Sequence, residues 1–243
     1  MSPINFSSRK HRRVAPRANL RLETLEDRTV PAYLATSTAF ENLDLLPTDA
    51  DVTSILGNTD DSAMTLDLGA NTFTFYGTTY TATDLYAGSN GYITFGTGET
   101  VFTNAVLDSA TAFPEPTIAP LWDDLYNQND VNSQVLYAIR GNRLIVEWND
   151  VQHFPSSGAM TFQAILQLNT GSANGSITFN YVDLNASNPS FDDGISATIG
   201  IKNAGTSNTG NDVVALSFNS ATYTSGTAVI INDVPPVANA GPN

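Results

Sequence analysis

Short segments of alternating apolar and polar residues, separated by turn residues, constrain the fold of this chain more than any other feature. NTFTFYG places Phe73 and Phe75 at every second position, and MTFQAILQLN does the same with Phe162, Ala164 and Leu166. Such spacing puts one face of a strand against a core. Because long helical patterns do not separate these segments, the sequence predicts an all-β fold, an antiparallel two-layer β-sandwich.

Turn residues divide the predicted strands. Ser-Asn-Gly at 89–91 lies between LYAG and YITF, and Gly-Asn at 141–142 lies between VLYAIR and RLIVEW. Both pairs are typical of β-hairpin turns. Further strands are predicted from GSITFNYVDL, ISATIGI, ALSFN and TAVII. A short helix is predicted only at Thr48–Asp61.

Charge is distributed unevenly along the chain. Seven of the ten Lys and Arg residues lie in the first 28 positions, whereas the remaining 215 residues carry three basic and 21 acidic side chains, a formal charge of −18. Such an acidic body repels phosphate backbones and attracts divalent cations, so a nucleic-acid partner is not expected. No apolar run approaches the roughly 20 residues needed to cross a bilayer. With no cysteines, the core alone must hold the fold.

The two ends differ from the central part. Residues 1–32 are Arg-rich and lack the apolar block of a secretory signal, a composition typical of a disordered tail. Within them, LRLETLEDRTVPA resembles the leader of many large planctomycete surface and secreted proteins, which implies a sorting or export segment. Residues 233–243 contain Pro235-Pro236, which cannot continue a ladder. They are predicted to be an extended linker, and they resemble the start of a polycystic-kidney-disease (PKD) repeat. The central domain is therefore expected at 33–232.

The central part contains an ordered set of five motifs: LYAGSNGYITFG, PTIAPLWDDL, VLYAIRGNRLIVEWNDVQHF, TFQAILQLNTGSANGSITFNYVDL and ATIGIKNAG. In sequence and in order, this set resembles the NIDO domain, the extracellular domain of nidogen-type proteins. The matching positions are Asn90, Gly91, Phe95, Ala119, Pro120, Trp122, Asp123, Trp148, Val151, Phe162, Gln163, Leu166, Phe179 and Tyr181. The resemblance covers roughly residues 70–205 and implies an extracellular β-sandwich module. The chain departs from the family's pattern in the Asp- and Asn-rich loop after Trp122 and in having no cysteines.

Catalytic residues are not predicted. Asp123 and Asp124 are adjacent and would point to opposite faces of a strand, although paired-carboxylate hydrolysis needs two facing acids. Glu147 is expected at the rim of a strand. His153 follows a strand, and no nucleophile-elbow motif lies near it.

The loop that follows Trp122 is the best candidate for a metal site. Asp123, Asp124 and Asp130 supply the hard oxygen ligands that Ca²⁺ prefers. The alternative is a turn in which Asp and Asn side chains cap backbone N–H groups, because the spacing fits no known calcium loop. Asp60-Asp61 and Asp192-Asp193 are weaker candidates of the same kind. Calcium binding, if present, is expected to be weak.

Aromatic residues divide into two predicted groups. Alternating positions place one group in the core: Trp122, Trp148, Phe162, Phe179 and Tyr181. A second group lies nearer turns, where it would be able to line a carbohydrate- or protein-binding face: Tyr33, Tyr76, Tyr80, Tyr86 and Tyr126.

These observations favour a non-enzymatic extracellular or cell-surface module that binds a protein or glycan matrix component in adhesion or matrix assembly. Two alternatives stay open, an accessory domain of a larger secreted hydrolase and a carbohydrate-binding module.

Overall fold

The computed structural model of the protein describes residues 32–109, 112–127, 131–155, 157–205 and 212–234. They form sixteen strands, and Asp192–Gly194 forms a 3₁₀ turn. Every strand pair is antiparallel. The predicted all-β antiparallel sandwich is confirmed.

Eight strands form the large sheet. Its order is β1 (Ala32–Thr38), β16 (Thr227–Val234), β13 (Ile177–Asp183), β12 (Ala159–Gln167), β11 (Arg143–His153), β10 (Gln134–Arg140) and β2 (Val52–Gly57), with β9 (Leu125–Tyr126) paired to the end of β11. On β11 and β12, alternate side chains enter the core between the sheets, as the sequence pattern predicts.

Six strands form the small sheet that packs against it. The order is β15 (Val213–Phe218), β14 (Thr198–Lys202), β8 (Thr117–Trp122), β7 (Tyr92–Phe95), β6 (Leu85–Gly88) and β3 (Ala63–Leu66). A separate hairpin of β4 (Thr72–Phe75) and β5 (Thr78–Thr81) contributes Phe73 and Phe75 to the core.

The core between the sheets contains four of the five aromatic residues predicted for it. Trp148 and Phe162 are fully buried and stack with ring centroids 5.1 Å apart, and the Trp148 indole N–H donates to the Gly88 carbonyl. Phe179 and Tyr181 are equally buried. Trp122 is buried as well, but it packs against Tyr92 and Phe113 in a second cluster, outside the core that fills the space between the sheets.

The outer face of the large sheet is covered by the connection between β1 and β2, residues 39–51, which we call the strap. Leu45 of the strap is buried in a small cluster with Leu136, Ile145 and Ile165. This arrangement makes the expected rim position of Glu147 wrong. Glu147 faces the strap and is fully buried, because a chain segment far away in sequence covers it.

The helix predicted at Thr48–Asp61 is also wrong, since Val52–Gly57 forms β2 at the edge of the large sheet. This strand pairs with β10, with a register shift between Val135 and Leu136. The backbone hydrogen bonds of β2 therefore depend on a partner about 80 residues away, which a local pattern does not reveal.

The register of the large sheet places the two ends of the described chain together. Ala32 pairs with Val234, whereas Thr38 pairs with Ala228, on the side of the sheet where β11 ends at His153. The chain thus enters and leaves at one end of the sandwich, and the loops after β11 lie at the other.

Several predictions fall on residues outside the described ranges. The leader prediction for 1–32 lies there except for Ala32, which belongs to β1, and so does most of the 233–243 linker. In the described part of the chain, no helix has the length and apolarity to span a membrane.

Candidate functional site

A shallow pocket opens at the end of the sandwich opposite the chain ends. It has a volume of about 120 Å³ and is lined by Asp60, Asp61, Phe102, Asp124 and Phe154. These residues come from four different connections, the β2–β3, β7–β8, β8–β9 and β11–β12 loops. The volume accommodates the end of one side chain or a small ion, and it is well below that of typical cofactor pockets.

The Asn90-Gly91 turn positions the acidic side of the pocket. Asn90 is fully buried; its side chain donates to Oδ1 of Asp61 at 2.9 Å and accepts from the backbone N–H of Leu125 at 2.8 Å. Gly91 has a φ of +79°, and a Cβ there would lie 1.9 Å from the Leu121 carbonyl oxygen. This position therefore requires glycine.

Asn127 fixes the β2–β3 loop from the other side. Its Oδ1 accepts from the N–H and the hydroxyl of Thr59, while its Nδ2 donates to the Leu56 carbonyl. Asp60 forms an isolated bridge with Tyr126. Buried amide side chains thus hold the loop that carries two of the three carboxylates.

The three carboxylates are close enough to interact strongly. One oxygen from each of Asp60, Asp61 and Asp124 lies within 4.8 Å of the other two. Partial burial raises the pKa of Asp124, the charge of His153 opposes this, and the charges of Asp61, Asp60 and Asp123 add to the rise. Burial and the charge of Asp61 also raise the pKa of Asp60. The pocket is therefore a site where a cation would relieve repulsion.

Two phenyl rings form the apolar side of the pocket. Phe102 and Phe154 are each 46% exposed, a large fraction for a phenylalanine. Phe154 is held by its N–H, which donates to the Asp124 carbonyl at 2.9 Å, and by an edge contact with Tyr126. The Tyr126 hydroxyl in turn donates to the Pro155 carbonyl. These contacts fix the Phe154 ring beside the carboxylates.

Asp123 is directed away from the pocket into a hydrogen-bonded chain. Ser196 donates to its Oδ2 at 2.5 Å, and Nε2 of His153 lies 3.2 Å from its Oδ1. In a Ser-His-Asp triad, the histidine stands between the serine and the aspartate, where it acts as the base. Here the aspartate stands in the middle, so His153 does not contact the Ser196 hydroxyl as a base would.

His153 is placed to carry a positive charge. Its Nδ1 lies 2.6 Å from the Phe154 carbonyl and its Nε2 faces Asp123, so both ring nitrogens face acceptors and both can donate only in the imidazolium form. Burial alone would lower the pKa of His153, but the hydrogen bond and charge of Asp123, with smaller contributions from Phe154 and Asp124, raise it. The Phe191 ring stacks on the imidazole at 3.5 Å.

The structure divides the predicted metal ligands. Asp124 lies in the pocket, Asp123 bonds to His153 and Ser196, and Asp130 lies outside the described residues. The neighbours of Asp124 are Asp60 and Asp61, which the sequence ranked lower. Calcium binding remains a prediction, now with Asp60, Asp61 and Asp124 as the ligand set that the geometry favours.

Three of the five tyrosines predicted to line a binding face are buried and therefore do not line one. These are Tyr33, Tyr76 and Tyr126, whereas Tyr80 and Tyr86 are partly buried. Phe102 and Phe154 are more exposed than any of these tyrosines, and the sequence analysis did not select them. No alternating pattern surrounds them, and only the fold brings them beside the carboxylates.

Comparison with protein families identifies the class of the chain. Residues 32–240 match the family model described as NIDO related. The chain belongs to the NIDO-related family. Searches of curated proteins and of solved structures found no match.

The residues of the NIDO-type motifs have structural roles in this chain. Asn90 and Gly91 build the acidic side of the pocket, whereas Trp148 and Phe162 fill the core. The Tyr181 hydroxyl donates to the Pro120 carbonyl at 3.0 Å and thereby joins the two sheets. Membership of the NIDO-related family indicates an extracellular module.

Proposed function

We propose that the protein is a non-enzymatic extracellular binding module that acts in adhesion or matrix assembly, and that its pocket receives a lysine or arginine side chain of a partner protein. The observation that carries this proposal is the pairing of three carboxylates with two half-exposed phenyl rings in one pocket. Carboxylates attract the charged group, and phenyl faces attract the cation and its apolar stem.

Charge supports a cationic partner. The chain has three Lys and Arg residues after position 28, and each interacts with groups outside the pocket. Arg140 pairs with Asp49 and Asp51, Arg143 pairs with Glu41, and buried Lys202 donates to backbone carbonyls. In the described part of the chain, therefore, no Lys or Arg side chain neutralises the pocket. A basic partner would be attracted over long range and oriented by the carboxylates.

The position of the pocket also suits a binding module. Ala32 and Val234 pair at the opposite end of the large sheet, so segments that extend from the strands leave the pocket accessible. A carbohydrate ligand is less favoured because three carboxylates offer only acceptors when ionised, whereas sugar hydroxyls are best bound by mixed donors and acceptors.

The test is calorimetric titration of the full-length protein with a short Arg- and Lys-rich peptide and with a Glu-rich peptide of equal length. We expect the basic peptide to bind, and binding to weaken at least tenfold in the D60N/D61N/D124N variant. F102A/F154A is expected to show a similar loss, because each ion pair or cation–π contact contributes on the order of 1 kcal/mol.

A matched control separates the pocket from general attraction to an acidic protein. The exposed residues Asp67, Asp108 and Asp183 lie outside the pocket lining, and changing all three to Asn removes the same charge. Binding by this variant should stay within about twofold of the parent. Equal losses in both triple variants, or full binding by F102A/F154A, would contradict the proposed site.

A further inference from the structure

A row of polar side chains lies buried beneath the strap, on the outer face of the large sheet. Glu147, Gln163 and Asn180 are neighbours across β11, β12 and β13, and all three are fully buried. We call them the covered row. Burying polar groups on the outer face of a sheet destabilises the fold unless these groups are hydrogen-bonded. The hydrogen-bond partners of the covered row therefore indicate its role.

The covered row binds the strap through direct hydrogen bonds. Asn180 donates to the Glu41 carbonyl at 2.6 Å and accepts from the Glu41 N–H at 3.2 Å. Gln163 donates to the Leu43 carbonyl at 3.2 Å and to Oε2 of Glu147, and its own carbonyl accepts from Asn180 at 2.8 Å. The strap is thus bonded to the sheet through a continuous chain that ends at Glu147.

Two arginines hold the ends of the strap. Arg143 pairs with Glu41 at 2.8 Å, and Arg140 pairs with Asp51 at 2.8 Å and Asp49 at 3.4 Å. These pairs are one-third to one-half exposed and so contribute little stability. Both arginines are occupied by the strap carboxylates, so neither compensates a charge on Glu147.

Glu147 is the member of the covered row whose hydrogen bonding is incomplete. Its Oε1 makes no hydrogen bond of normal geometry with any described residue, and the backbone N–H of Leu45 is the strap donor that faces it. The charged groups that raise its pKa are Asp44 of the strap and Asp150 of β11, both acidic, while β12 and β13 contribute the neutral amides of Gln163 and Asn180. Ionised Glu147 would be a buried charge without a counterion.

We propose that the strap is a pH-controlled latch, closed over the large sheet while Glu147 is protonated and loosened when Glu147 ionises. Burial, with smaller contributions from Asp44 and Asp150, raises the pKa of Glu147 to about 7, although the Gln163 hydrogen bond and the nearby backbone N–H of Leu45 oppose the rise. Opening the strap admits water to Glu147 and returns its pKa towards the ordinary value. The open state therefore gains population as pH rises through about 7.

The expected size of the pH effect on strap opening follows from the difference in the pKa of Glu147 between the closed and open states. With a closed-state pKa of about 7 and an ordinary open-state value, the opening equilibrium rises roughly tenfold between about pH 6 and about pH 8. Opening would expose Leu45 and the small apolar cluster beneath the strap. The small sheet has no part in this step.

Hydrogen exchange of the full-length protein tests the latch. Exchange rates of the strap amides, corrected for intrinsic exchange at each pH, should rise about tenfold from about pH 6 to about pH 8, and at both pH values they should exceed the rates of the β7 and β14 amides, which exchange only when the whole domain unfolds. Glu147→Gln should abolish the rise. Glu41→Gln is the matched control, because it removes the Arg143 pair and leaves the buried carboxyl, so exchange should increase at both pH values with the tenfold ratio retained.

A second measurement does not depend on any variant folding. A carbon-13 NMR titration of the Glu147 carboxyl in the parent protein should show a midpoint near pH 7, against about 4.5 for an ordinary glutamate. A midpoint below about pH 5 would overturn the proposal, as would strap exchange that is independent of pH or a rise that persists in Glu147→Gln.

Discussion

The pocket and the covered row both contain acidic side chains, yet these side chains differ in access to water. None of the three pocket aspartates is fully buried, whereas Glu147 has no exposed surface at all. In the pocket, an external cation would relieve the repulsion among the neighbouring carboxylates. Under the strap, the charge itself is suppressed by proton uptake. We therefore expect the exposed carboxylates of this domain to bind a cationic ligand and the buried carboxyl of Glu147 to bind a proton.

Removing the core that supports both regions should have the largest effect. Trp148 follows Glu147 on β11 and points to the opposite face, where it stacks on Phe162. We expect Trp148→Ala to lower the free energy of unfolding by about 3–5 kcal/mol in urea unfolding experiments, because the lost ring leaves a cavity. Half-exposed Phe102 is the control. If Phe102→Ala cost as much as Trp148→Ala, the proposed division between core and pocket aromatics would be wrong.

The Glu147→Gln variant tests the role of the buried carboxyl, with the free energy of unfolding as the measured quantity. The folded-state pKa lies above the ordinary value of 4.5, so the contribution of Glu147 is fully present below about pH 4.5 and is lost as pH rises through about 7. From about pH 6 to about pH 8 the parent should lose about 1.4 kcal/mol relative to the variant. Parallel pH profiles of the free energy of unfolding for the two proteins would contradict this.

Calcium tests the exposed side of the comparison. Weak extracellular calcium sites have dissociation constants of about 10⁻⁴ to 10⁻³ M, which corresponds to about 0.4–1.4 kcal/mol of stabilisation at about 1 mM calcium. We expect calorimetry to show at most such weak binding, lost in D60N/D61N/D124N and retained in Asp123→Asn, whose parent carboxylate bonds to His153. Submicromolar affinity, or the same response to magnesium, would contradict a weak calcium site.

Deleting residues 1–31 should have the smallest effect. Neither the pocket nor the covered row includes any of these residues, and β1 begins at Ala32. We expect the free energy of unfolding to stay within about 0.5 kcal/mol of that of the parent. A larger loss in thermal unfolding would show that the basic segment is part of the folded domain.

The fold was predictable where each strand carries its own signal. β12 and β13 alternate apolar and polar residues, and the turns at Gly91 and Gly141 have the positive φ values that favour glycine. β2 was missed because it depends on pairing with β10. The burial of Glu147 was missed for a related reason, since the strap that covers it is about a hundred residues away in sequence.

The pocket was only partly predictable. Its acidic residues were candidates from their composition, but the sequence grouped Asp123 and Asp124 as ligands of one calcium loop, whereas in the structure the two carboxylates have different neighbours. Phe102 and Phe154 carried no signal, because exposed aromatic residues in loops follow no periodic pattern. The sequence did identify Asn90-Gly91, but only as a turn. It did not indicate that Asn90 would hold the carboxylate of Asp61 through a hydrogen bond.

The pairing of Ala32 with Val234 has a mechanical consequence. Inter-strand hydrogen bonds in antiparallel sheets run perpendicular to the strands, so a force that pulls these two neighbouring ends apart would open the β1–β16 ladder one bond at a time. A force between the pocket and either end runs along the strands instead and loads many hydrogen bonds together. We therefore expect this domain to resist tension transmitted from a bound partner far better than tension applied across its own two ends.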